Sequence, residues 1–149
     1  MLGMKFARLI EKHCDTLGKA LVEKLRTSSR TDSYRLIPEH ELLHDVQILY
    51  RNLSDWLMSR TELDIQQYYM RMGVRRAEQG VPINQFIWAL VLGKELLWLF
   101  MQREAIAEGA LELVNELEFL LALEQFFDRA MYYAVLGFAQ QQKKIKAAA

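Results

Sequence analysis

Residues 82–107 read PINQFIWALVLGKELLWLFMQREAIA, and this stretch decides the fold class. It opens on a proline, which is well tolerated in the first turn of a helix because its missing N–H has no partner there. It then runs to Ala107 without a second proline. Ile83, Phe86, Ile87, Leu90, Val91, Leu96, Leu97, Trp98, Phe100 and Met101 leave few polar sides. A run of this length is a helix, and a helix apolar on most sides is expected at the centre of its domain.

Upstream, Gly80-Val81-Pro82 is a stop followed by a start. The preceding helix begins with Thr61 as N-cap and Glu62 and Asp64 in its first turn. It carries Leu63, Ile65, Tyr68, Tyr69, Met72 and Ala77 and ends at Gly80. Before it, a helix from Pro38 to about Ser59 shows the apolar stripe Leu42, Leu43, Val46, Leu49, Tyr50, Leu53, Trp56 and Leu57. The first helix, from about Lys5 to Arg26, places Phe6, Leu9, Ile10, Leu17, Leu21 and Leu25 near helical spacing. The segment TSSRTDSYRLIP, residues 27–38, has no clear period and reads as the longest loop. Downstream, Gly109 marks a break, and the last helix runs from about Ala110 to Lys146. It is apolar almost all round from Leu117 to Phe138, and it ends in the polar QQQKKIK. The expected fold is all-α, a five-helix bundle with a long C-terminal helix. It forms one domain over residues 1–146, with residues 147–149 either a native or an appended tail.

Composition agrees and excludes several functions. The chain has 149 residues, 52% of them hydrophobic, with two prolines and seven glycines. Nineteen basic residues balance nineteen acidic ones, so the global positive field of a nucleic-acid binder is absent. Cys14 is the single cysteine, which suits a reducing compartment, and it reads as a small buried hydrophobe. Lys5, Arg8, Glu11 and Lys12 interrupt the N-terminal segment, so it does not read as a signal peptide. Lys94 and Glu95 lie deep in the most apolar stretch, which argues against a membrane span. The expected location is the cytoplasm.

The sharpest chemical motif is His40-Glu41-Leu42-Leu43-His44, which matches H-E-x-x-H letter for letter. Histidines four apart on a helix share a face and can grip zinc, with the glutamate activating a bound water. The motif starts two residues after Pro38, however, and no third ligand follows at a metalloprotease spacing. A polar, solvated first turn is therefore the simpler reading, with a zinc hydrolase using His40, Glu41 and His44 as the alternative. Haem is disfavoured as well: all three histidines lie in the first 44 residues, and no C-x-x-C-H motif occurs. No cofactor is expected, although a small-ligand- or haem-binding bundle stays open as an alternative.

Tyr68, Tyr69, Arg71, Arg75 and Arg76 crowd the third helix. Arginine beside tyrosine can form an anion or aromatic-ligand site. Tyrosines at a core edge with arginines on the wet face explain the same letters more simply. Tyr68, Tyr69, Arg76 and Trp98 form the candidate ligand pocket. The apolar excess of the last helix is the stronger signal, because one domain of this size cannot easily cover it on every side. Leu117, Leu121, Phe127 and Met131 form the candidate dimer interface.

The run Tyr69-x3-Gly73-x2-Arg76-Ala77-x2-Gly80-Val81-Pro82, followed by Lys94 and Leu97-Trp98, resembles the N-terminal domain family of stressosome RsbR-type proteins. Ser33-Tyr34-Arg35 is similar too, and the resemblance extends over about residues 5–140. It implies a globin-like fold without haem, a sensory or regulatory input role ahead of an output domain, and no catalytic residues. It also implies a dimer formed largely by the first and last helices. With 149 residues there is no room for a downstream output domain, so the resemblance implies either a domain from a longer protein or a stand-alone relative. The expected function is a non-enzymatic input domain that dimerises and signals through its C-terminal helix to an output domain or partner protein.

Overall fold

A computed structural model describes residues 5–108 and 117–149. The described residues are helical with short connections, and no strand occurs among them. The order is α1 (Lys5–Lys12), α2 (Cys14–Thr27), a 3₁₀ segment (Ser29–Leu36), α3 (Glu39–Arg51), α4 (Leu53–Met58), α5 (Glu62–Glu78), α6 (Ile83–Glu108) and α7 (Leu117–Ala148). The expected break at Gly109 and helix start at Ala110 lie outside the described residues.

Two expected helices are each interrupted once. Residue His13, at φ −102° and ψ 19°, separates α1 from α2. Asn52, at φ −114° and ψ 26°, separates α3 from α4. There the Asn52 side chain donates to the Ile48 carbonyl at 2.9 Å, a local bond that competes with the helical ladder. The new helix start is satisfied from a distance: Glu11 accepts from the Ser54 backbone N–H at 2.8 Å and from its hydroxyl at 2.9 Å.

The expected loop over 27–38 is corrected to a 3₁₀ segment with a kink at Thr31 (φ −136°). Its order comes from side chains and not from periodicity. The buried Thr31 hydroxyl donates to the Leu25 carbonyl at 2.7 Å. Arg26 Nη1 donates to the Ile37 carbonyl, and Arg35 Nε to the Arg26 carbonyl, each at 2.9 Å. The Gln85 side chain accepts from Ser33 and donates to Asp32, tying the segment to α6.

Helix α5 begins as the sequence reads. Thr61 and Asp64 form a reciprocal capping box. Its end is a Schellman turn: Val81 N–H donates to Arg76 O and Gly80 N–H to Ala77 O, each at 3.1 Å, with Gly80 at φ +77°. Ile65, Tyr69, Gly73, Arg76 and Ala77 form its buried face. On α7 the buried face is Phe119, Leu123, Phe126, Phe127, Ala130, Ala134, Gly137 and Phe138. These faces meet without side chains between them at two points. A Cβ on Gly73 would lie 2.7 Å from the Phe138 nitrogen and closer still to the Ala134 carbonyl oxygen. A Cβ on Gly137 would lie 2.8 Å from Met70 Cα and closer still to its carbonyl oxygen. The absence of side chains at both positions permits backbone-to-backbone contact.

Helix α6 contributes to the core, as expected for residues 82–107, and shares it with α7. Helix α6 buries Phe86, Ala89, Leu92, Leu97, Phe100 and Met101, but it exposes Ile83 (44%), Ile87 (39%) and Leu99 (45%). Helix α7 packs against the same core. Its Phe119 ring meets Phe6 of α1, Phe126 meets Trp56 of α4 and Tyr69 of α5, and Phe138 stacks on Phe86 of α6 at 5.1 Å. Ala147 and Ala148, expected in a tail, continue the last helix.

Candidate functional site

Between α2, α3, α5, α6 and α7 lies a cavity of about 90 Å³. The apolar stripes of these helices make most of its wall, including Leu21, Leu42, Phe86 and Phe127. A polar edge is set into that wall by Tyr34, Asp45, Tyr50, Tyr69 and Arg76.

The Asp45–Arg76 pair is buried, with 4% and 3% of the residues exposed. Arg76 Nη2 donates to Asp45 Oδ2 at 2.7 Å, and Nη1 donates to Gln79 Oε1 at 3.0 Å. Glu41 stands 3.5 Å from the same guanidinium, and Arg75 donates to the other Asp45 oxygen at 3.2 Å. Two carboxylates thus meet two guanidiniums, and the cluster is neutral in sum. The Arg76 guanidinium also lies 5.9 Å from the centre of the Tyr34 ring. The expectation of arginines on the wet face holds in part for Arg75 but is corrected for Arg76. Its helical position faces inward, and Asp45 on α3 supplies the counter-charge that burial requires.

The three tyrosines differ in how their hydroxyls are used. Burial pushes Tyr34 up to about 12, with Arg76 opposing that rise. Burial also raises Tyr50, whose hydroxyl donates to the Gly93 carbonyl at 3.1 Å. Tyr69 is raised well above its ordinary value by the same cause, and its buried hydroxyl has no hydrogen-bond partner. All three are neutral phenols at pH 7. With the ions mutually paired, this edge offers hydrogen bonds and shape, not proton transfer near neutrality.

The structure brings Tyr69 and Arg76 together on the cavity. Tyr68 sits beside them, edge-on to Tyr69 at 5.0 Å and to Trp56 at 5.4 Å. Trp98 lies elsewhere: its indole N–H donates to Glu124 at 2.7 Å, and Lys94 pairs with the same carboxylate at 2.8 Å. Of the proposed interface residues, Leu117 and Leu121 are 58% and 61% exposed. Phe127 is buried and lines the cavity, so it faces the chain's own core. Met131 is half-buried and touches both the cavity and an outer groove beside Tyr132.

Glu41 of the H-E-x-x-H match accepts from Gln79 Nε2 at 2.8 Å and belongs to the arginine cluster. Among the described residues no group of three His, Cys, Asp or Glu is placed to hold a metal ion. Asp45 was not singled out from the sequence. Its signal was present: a carboxylate placed between Leu42 and Val46 on an otherwise apolar stripe. Cys14 is buried, as its reading as a small hydrophobe expects.

By length and composition, Ile83–Glu104 is long and apolar enough to cross a membrane. In the structure this helix is tied into the bundle by the Tyr50–Gly93 and Lys94–Glu124 contacts. No curated protein and no solved structure matches the chain. Residues 15–148 match the family described as the RsbT co-antagonist protein rsbRD N-terminal domain, and the chain therefore belongs to that family.

Proposed function

We propose that this chain is a non-enzymatic regulatory input domain with a globin-like arrangement of helices. It dimerises in the cytoplasm and passes a change through α7 to an output domain or partner protein. Family membership supports the regulatory role. The observation that carries the dimer is the apolar row along the outer side of α7. Leu117, Leu121 and Tyr132 are 58%, 61% and 63% exposed, while the opposite face of α7 is buried in the core. A groove formed with Val135, Leu136 and Ala139 continues the row. Asp128 also lines this groove, and exposed apolar surface rimmed by polar residues marks a protein contact, for which a second copy offers a self-complementary match. Because Phe127 is buried, the interface rests on Leu117, Leu121 and Tyr132, with Met131 at its edge.

A rigid helix that is core on one side and interface on the other can carry a shift in packing outward. The test is sedimentation equilibrium at micromolar concentration. The native chain is expected as a dimer, and Leu121→Glu as a folded monomer by circular dichroism. A strict monomer for the native chain overturns the proposal.

A further inference from the structure

We infer that the cavity beside Tyr69 is a binding site for a small uncharged molecule with an apolar body and one hydroxyl or carbonyl group. Three features on this wall specify that chemistry. The first is the Tyr69 hydroxyl. Tyr69 is 4% exposed and lines the cavity, and its hydroxyl alone among the three cavity phenols lacks any partner or nearby counter-charge pairing. A buried hydroxyl left unpaired carries a desolvation penalty that an occupant's polar atom relieves. The second is charge. Asp45, Glu41, Arg75 and Arg76 already neutralise one another, so a carboxylate or ammonium entering here would find no free counter-charge. The third is size. About 90 Å³ exceeds the space of a single water and falls short of the roughly 150 Å³ apolar cavity that admits benzene. Scaled against six-atom benzene in roughly 150 Å³, this space takes a molecule of roughly three to four heavy atoms.

The site also reaches the helix on which the regulatory reading depends, since Met131 borders both the cavity and the outer groove of α7. Binding itself does not rest on that reading, and a monomeric chain would bind as well.

The test uses the whole chain labelled with ¹³C at the methionine methyls and titrated with acetone, with isobutene as the apolar match. Met72 and Met131 line the cavity, and the other five methionines are controls. Saturable shifts confined to Met72 and Met131 are expected with both probes. Tyr69→Phe, which removes an unpaired hydroxyl from an aromatic cluster, keeps the fold and weakens acetone five- to tenfold, while isobutene is unchanged. That factor corresponds to about one hydrogen bond. Should Tyr69→Phe fail to fold, Ala89→Val, which narrows the cavity, is expected to weaken both probes. Absence of a saturable shift at Met72, as for a cavity holding ordered water alone, overturns the inference. So does equal weakening of both probes by Tyr69→Phe, or a shift spread over all seven methionines.

Discussion

Replacing Gly137 by alanine tests the contact on which the α5–α7 pair is built. In an open helix interior alanine is favoured over glycine by about 0.8–1.0 kcal/mol, so the substitution alone would stabilise. Here the new Cβ would meet Met70 Cα at 2.8 Å, and real Cβ atoms essentially never approach within 3.0 Å. The Met70 carbonyl oxygen is nearer still. At Gly73 the obstacles are the Ala134 carbonyl and the Phe138 nitrogen. Every obstacle is backbone, so no side chain can rotate aside, and the two helices must part by the order of an ångström. A gap of that size forfeits roughly a quarter to a half of each dispersion contact along the seam. Overpacking without an escape route costs about 3 kcal/mol or more. After the gain in helix propensity, each variant should lose about 2 kcal/mol. For a chain of this length that lowers Tm by about 4–8 °C. Gly93→Ala is the internal control: its Cβ meets only Leu21 Cδ2, at an ordinary 3.5 Å. It should gain up to ~1 kcal/mol and raise Tm by about 2–4 °C. Thermal and urea unfolding followed by far-ultraviolet circular dichroism reads all three. If Gly73→Ala and Gly137→Ala match or exceed the native chain in stability, the backbone contact between α5 and α7 is refuted.

Three further outcomes are expected. Asp45→Ala leaves the Arg76 guanidinium buried without its 2.7 Å partner and should cost about 3–5 kcal/mol in urea unfolding. Adding Arg76→Met should recover part of that loss, and strictly additive losses in the double variant would show that the pair is not coupled. The alkaline limb of stability follows from the buried tyrosines, Tyr34 among them. The folded pKa of Tyr34, about 12, lies above the ordinary value of 10, so its contribution is complete below pH 10 and is lost as pH rises towards 12. Urea unfolding across that window should show a shallower decline for Tyr34→Phe than for the native chain, and identical declines would remove Tyr34 from the account. Thr61→Ala deletes one half of the capping box and should lower stability by about 1 kcal/mol, restored largely by Thr61→Ser.

Much of this protein follows from local rules that need no tertiary information. The helical class, the Thr61 cap, the Gly80 stop and the long last helix depend on neighbours within a few residues. Capping, backbone freedom at positive φ and a 3.6-residue period are properties of the chain itself. The resemblance carried by Gly73, Arg76 and Gly80 was legible for the same reason, and the family match over residues 15–148 agrees with it. What only the tertiary structure decided involves pairs distant in sequence. Periodicity marks a residue as apolar, but it does not say which partner covers it. For that reason Phe127, placed in the expected interface, lies in the core. Asp45 and Arg76, 31 residues apart, acquire meaning only when α3 and α5 bring opposite charges together away from water. Gly73 and Gly137 are ordinary helix residues until two backbones touch there. The cavity and the unpaired Tyr69 hydroxyl arise from five helices at once, because an empty volume is a property of how surfaces fit and has no letter in the sequence.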